Sequence, residues 1–146
     1  MAIKEYPNGQ IDHFIVGDSP APTRKRAIWN PSTGEVQAEV ALGDAALLAR
    51  VVETARRVQP GWAATNPQRR ARVMFKFIEL VQKDMDNLAR MLSSEHGKIL
   101  PDSRGDIQRG LDVIEFACGV PHLTKGEYTD QAGPGIDVYS MRHPLG

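Results

Sequence analysis

Apolar and polar positions alternate along short stretches in the first third of the chain, then recur every three or four residues through most of the remainder. Strands are therefore expected first and helices after them. His13-Phe14-Ile15-Val16 is a β-prone run closed by the turn pair Gly17-Asp18. Ser19 to Pro22 is a Pro-rich loop, and Arg26-Ala27-Ile28-Trp29 reads as a second strand. Asn30-Pro31-Ser32-Thr33-Gly34-Glu35 gathers the common turn formers, and Val36 to Val40 alternates as a half-buried strand does. A hairpin around Pro31 to Gly34 is the prediction.

Three helices are expected next. Asp44 is a candidate N-cap for the first, whose residues Leu48, Val51, Val52, Ala55 and Val58 share one face before Pro60-Gly61 ends it. Asn66 caps the second, with Pro67 at the first helical position, where its missing N–H costs nothing. Its stripe runs through Val73, Phe77, Leu80 and Val81, then through Leu88, Met91 and Leu92 to a stop at Gly97, with a break near Asp84 to Asp86. Pro101-Asp102 opens the third helix, which runs to Gly119. Asp137 to His143 alternates again and reads as a closing strand after a Gly133-Pro134-Gly135 turn. The sequence has no internal repeat, low-complexity tract or domain linker.

Composition narrows the class. At 146 residues, 41% hydrophobic and 25% charged, the chain matches an ordinary globular domain. Eighteen basic and eighteen acidic residues cancel, leaving no global field for nucleic acid or an anionic membrane. No stretch approaches the length of a membrane span, and the N-terminus resembles neither a signal nor a transit peptide. One cysteine, Cys118, allows no internal disulfide, which fits a reducing compartment. The cytoplasm is the expected address, without nucleic-acid or membrane partners.

Chemistry-bearing motifs are sparse. A phosphate cradle needs spaced glycines between a strand and a helix, and Gly133-Pro134-Gly135 has no helix after it. His13, His96, His122 and His143 lack ligand-like spacing, and Gly119 and Pro121 interrupt the path from Cys118 to His122. Cys118 extends the apolar stripe Ile107, Leu111, Ile114, so it reads as a packed thiol and not a nucleophile. Val113 and Phe116 form a second stripe on that helix, and Arg109 lies on it. A helix apolar on two sides is expected to sit between layers. An arginine facing an apolar layer must pair, bind an anion or reach water. A salt bridge to Asp102, Asp106 or Asp112 and a solvated stripe end are the ordinary alternatives.

The order Asn30-Pro31-Ser32-Thr33-Gly34-Glu35-Val36, Gly61-Trp62 and Glu95-His96-Gly97-Lys98 resembles the start of aldehyde dehydrogenases. The segments Gly105 to Val120 and Asp137 to Gly146 are similar to methylmalonate-semialdehyde dehydrogenases in particular, and the resemblance covers the chain from about Ile11. It implies an NAD-dependent, CoA-acylating enzyme acting on malonate or methylmalonate semialdehyde through a cysteine thiolate, with an oxyanion donor and a bound dinucleotide. In the family those groups lie downstream of the Pro144-Leu145-Gly146 match, so this chain alone is expected to have no catalytic residue, no activity and no NAD or CoA binding. The resemblance also implies that Arg109 grips the carboxylate of a small semialdehyde, a task suited to a bidentate guanidinium.

The implied parent fold is α/β, with a doubly wound NAD-binding domain, a catalytic domain and an oligomerisation arm. Residues 1–146 would form the N-terminal part of the NAD-binding domain, with 125–146 contributing to the arm. Taken alone, the chain is expected to be α+β: a hairpin, three helices and a terminal oligomerisation strand, associating as a homo-oligomer. A stop within a strand-to-strand passage favours truncation. The alternative is a non-catalytic stand-alone binding or structural domain derived from such an enzyme, and the reading frame after Gly146 discriminates the two.

Overall fold

The computed structural model describes residues 9–15 and 21–145. Within them the chain is α+β. Strand β1 (Gln10–Ile11) precedes β2 (Arg24–Asn30) and β3 (Glu35–Leu42); then come α1 (Ala45–Ala63), α2 (Pro67–Lys83), α3 (Met85–His96), α4 (Leu100–Ala117) and α5 (Val120–Leu123). Strands β4 (Tyr128–Gly133) and β5 (Ile136–Tyr139) close the order. The first sheet is ordered β1-β3-β2, with β2 antiparallel and β1 parallel to β3.

The hairpin forms where turn chemistry demands it. The amides of Thr33 and Gly34 donate to the Asn30 carbonyl, the Ser32 amide donates to the Asn30 side chain, and Gly34 takes a positive φ of 73°. Register shifts between Ile28 and Trp29, so that Ile28 faces Ala38 and Trp29 faces Val36. Gln37 sits at this irregularity, and its Nε2 donates to the Ser94 carbonyl of α3 at 3.2 Å. Gly97 ends α3 with φ 86°, and a Cβ there would lie 2.9 Å from Pro31 Cγ. The hairpin turn and the helix end are thus fitted together through a glycine.

The helix caps follow the sequence. Asp44 accepts from the Leu47 amide at 2.7 Å, and Asn66 accepts from the Gln68 amide at 2.9 Å. Asp84, at φ −106° and ψ 15°, separates α2 from α3, so the second expected helix is two. Ala71, Ala89, Leu111 and Cys118 form the buried apolar centre among α2, α3 and α4, while Ala38 and Ala41 are buried on β3. Ser103 is 0% exposed and shares a 2.7 Å hydrogen bond with Ser93 across the α3–α4 contact. Small side chains let these helices approach closely, and the hydroxyl pair satisfies itself.

Several expectations are corrected. His13 to Ile15 are not in a strand, and Val16 to Asp18 lie outside the described residues; a strand forms instead at Gln10–Ile11, against β3. Helix α1 does not end at Pro60 but continues to Ala63. Proline removes only the bond to the Arg56 carbonyl, and Arg56 is exposed, where water can take that bond. The last strand stops at Tyr139, short of His143. Helix α4 is not sandwiched within this chain: Leu111 is 2% exposed, but Val113 and Phe116 on the other stripe are 68% and 71% exposed. The stripe of α1 is likewise open, with Leu48, Val52 and Val58 all exposed.

The β4–β5 hairpin projects as a separate two-stranded sheet. Its turn uses Gly135 at φ 72°, and its register is interrupted between Thr129 and Gly133, where Gln131 has φ 46°. Asp137 holds that irregularity, accepting from the Gln131 amide at 2.9 Å and from the Tyr128 hydroxyl at 2.8 Å. At its base a Cβ on Gly126 would fall 1.7 Å from the Ser140 carbonyl oxygen, so only glycine fits there.

Candidate functional site

Arg109 projects from the middle of α4 with its side chain 71% exposed. One guanidinium nitrogen, Nη2, donates to Asp106 Oδ1, one helical turn earlier. The second carboxylate oxygen, Oδ2, accepts from Lys98 Nζ. Lys98 lies in the short connection between α3 and α4, and its ammonium reaches forward over the first turns of α4. The Arg109 guanidinium also passes over Gly105, whose Cβ, if present, would lie 3.6 Å from Nη1. Of the three acids considered as partners in the sequence, Asp106 is the one engaged. Asp112 instead accepts from Gln108 Nε2 at 2.8 Å.

The surroundings of the carboxylate favour its ionised form. The Lys98 hydrogen bond is the main cause of an Asp106 pKa below the ordinary carboxylate value; partial burial opposes it, and the Arg109 hydrogen bond and both positive charges add to the lowering. Two cations therefore share one anion, and the trio carries a net charge of about one positive unit. A guanidinium has five N–H donors, more than one carboxylate oxygen can occupy. The arrangement can take a small anion at the exposed edge of α4.

In the sequence Lys98 stands out only as part of a helix end, and Asp106 only as one of several acids. Their partnership crosses a helix start and has no periodic signature, so spacing could not reveal it. Cys118 is buried at the end of the covered stripe, consistent with a packing role. Arg104 binds Asp86 at 2.9 Å, tying α4 to α3 next to the site.

The glycine cluster Gly133-Pro134-Gly135 forms the β4–β5 turn. Among the described residues no strand, glycine loop and helix N-terminus combine into a pyrophosphate cradle. Two open, largely apolar grooves, of about 610 and 840 Å³, lie along α1 and away from Arg109. Among the described residues no helix is long and apolar enough to cross a membrane.

The small three-stranded sheet, the helices with open apolar faces and the separate two-stranded hairpin make up an α+β unit. The chain belongs to the aldehyde dehydrogenase family, which residues 19–146 match. It is 37% identical over 139 residues to malonate-semialdehyde dehydrogenase of Pseudomonas aeruginosa, covering 94% of this chain and 28% of that protein. It is 46% identical over 119 residues to the acylating, mitochondrial methylmalonate-semialdehyde dehydrogenase of Arabidopsis thaliana, covering 82% of this chain and 20% of that one. Among solved structures, methylmalonate-semialdehyde dehydrogenase of Oceanimonas doudoroffii superposes with a TM-score of 0.88 at 39% identity, over 93% of this chain and 28% of that chain. A Sinorhizobium meliloti protein classed with the same enzymes and crystallised with NAD gives 0.88 at 57% identity, over 94% and 28%. The chain thus spans between a fifth and little more than a quarter of the length of these relatives, and it corresponds to their N-terminal portion.

Proposed function

We propose that this chain is the N-terminal segment of an NAD-dependent, CoA-acylating methylmalonate- or malonate-semialdehyde dehydrogenase, and that Arg109 receives the substrate carboxylate. The observation that supports the substrate role is the exposed Arg109 guanidinium at the edge of a trio with surplus positive charge. A semialdehyde bearing a carboxylate offers that charge a partner; a simple aldehyde does not. The likeness to malonate- and methylmalonate-semialdehyde dehydrogenases supports the same class of substrate.

In this reading residues 1–146 belong to the NAD-binding domain, and residues 125–146 contribute to an arm that joins subunits of a cytoplasmic homo-oligomer. NAD, when bound, accepts hydride from the substrate, and CoA takes up the acyl group. The residues of this chain do none of that chemistry. They bind and orient: Asp106 sets the direction of the guanidinium, and the rigid α4 fixes its distance from the rest of the site.

The test is Arg109→Ala in the enzyme carrying this segment, with kcat/KM measured for malonate semialdehyde and for propanal. A charge-assisted contact of about 1.5–3 kcal/mol predicts a loss of roughly ten- to a hundredfold for the semialdehyde. Propanal turnover should change little. Equal losses for both substrates would return Arg109 to a structural role.

A further inference from the structure

We propose that Lys98 is a positioning residue for substrate selectivity: by neutralising Asp106, it leaves the charge of Arg109 available to an incoming carboxylate. This inference rests on the reading of Arg109 given above. It starts from a difficulty in the geometry. Arg109 is already hydrogen-bonded to a carboxylate one turn away, and an arginine–aspartate pair taken alone is neutral. Such a pair attracts a second anion weakly, because the aspartate repels what the arginine attracts.

Lys98 removes the difficulty. It binds the other oxygen of the same carboxylate, so each oxygen of Asp106 faces its own cation. The Lys98 and Asp106 side chains are 21% and 32% exposed, against 71% for Arg109. The compensating pair is therefore the more shielded part of the trio, and the surplus charge sits at its exposed end. Water screens the inner pair less than the outer guanidinium, which holds the neutralisation in place. The chain itself places Lys98: Gly97 turns left-handed against Pro31 and ends α3, so the next residue leaves the helix axis beside the first turns of α4. Asp112 is engaged by Gln108, and Arg104 by Asp86.

The experiment measures KM and kcat for malonate semialdehyde and for propanal in the enzyme carrying this segment. The variants are Lys98→Met, Lys98→Gln, Lys98→Met/Asp106→Asn, and Arg109→Ala. Lys98→Met should raise KM for the semialdehyde on the order of tenfold, the scale of one unit charge acting over several ångströms of partly screened protein. Its kcat and the propanal parameters should stay near those of the parent enzyme. Lys98→Gln keeps a hydrogen-bond donor for Asp106 while removing the charge, and it should show the same loss. The double variant again leaves one uncompensated positive charge, on Arg109, and the asparagine side-chain oxygen can still accept from the guanidinium and hold its direction, so selectivity should return although both ion pairs are gone. A purely structural role for Lys98 predicts the reverse, with the double variant no better than the single one. That result would overturn the proposal, as would unchanged selectivity in both Lys98 variants while Arg109→Ala abolishes it. Unchanged selectivity in Arg109→Ala would instead overturn the carboxylate-binding site itself.

Discussion

Replacing Gly97 with alanine probes the joint between the hairpin and the helices. Gly97 carries two constraints: a φ of 86°, and a distance of only 2.9 Å between any added Cβ and Pro31 Cγ. The left-handed backbone costs an alanine about 1–2 kcal/mol. The contact adds about 1–3 kcal/mol, as overpacking does, because a proline ring in a tight turn cannot swing aside. Gly97→Ala should therefore destabilise by about 2–5 kcal/mol. Gly34 provides the control: its φ is 73°, but nothing lies within 4 Å of its added Cβ. Gly34→Ala should lose only the backbone share, about 1–2 kcal/mol. Pro31→Ala placed on top of Gly97→Ala should recover part of the difference by removing the ring. Urea unfolding followed by circular dichroism supplies all of these values through the midpoint and slope. If Gly97→Ala proves no more damaging than Gly34→Ala, the hairpin does not press on the end of α3, and the glycine does not hold the joint.

Two further outcomes concern the β4–β5 hairpin and the open faces. The Asp137 pKa is lowered, chiefly by the Gln131 amide and then by the Tyr128 hydroxyl. Its contribution to the order of the β4–β5 hairpin is therefore present at neutral pH and is lost as acid takes the pH down through that lowered value. A titration of the Tyr128 ring resonances should show this acid transition, and Asp137→Ala should abolish it; a transition that survives the substitution belongs to another group. The exposed Val113, Phe116 and α1 stripe, with the unpaired edges of β4 and β5, should drive this chain into dimers or larger assemblies at micromolar concentration. Sedimentation would refute this with a single monomeric species in which Val138, Tyr139 and Met141 are protected from hydrogen exchange.

Local chemistry explains which elements are legible in the sequence. The β2–β3 hairpin, the Asp44 and Asn66 caps, the break at Asp84 and the stop at Gly97 each depend on a few adjacent residues, and each can be read from them. Strand β1 escapes such a reading because two residues carry no pattern of their own; β3, some thirty positions later, makes them a strand. Pro60 misleads because an exposed helix can give up one hydrogen bond to water and continue. The apolar stripes of α4 show which residues share a face, but not that one face is covered and the other open. At the candidate site, periodicity places Arg109 on α4 and chemistry supplies the candidate acids. Choosing Asp106 and adding Lys98 requires the actual path of the chain between α3 and α4.

The uneven register of the β4–β5 hairpin limits how far pairing can spread along it. A flat edge with evenly spaced amides and carbonyls can template strand upon strand into a growing ladder. On β4 that spacing is broken between Thr129 and Gly133, where Gln131 turns to positive φ and spends its amide on Asp137. An incoming strand can match one side of the break or the other, but not run through it. A ladder growing along β4 would have to straighten that break, so the hairpin as it stands is a poor template for open-ended fibre growth.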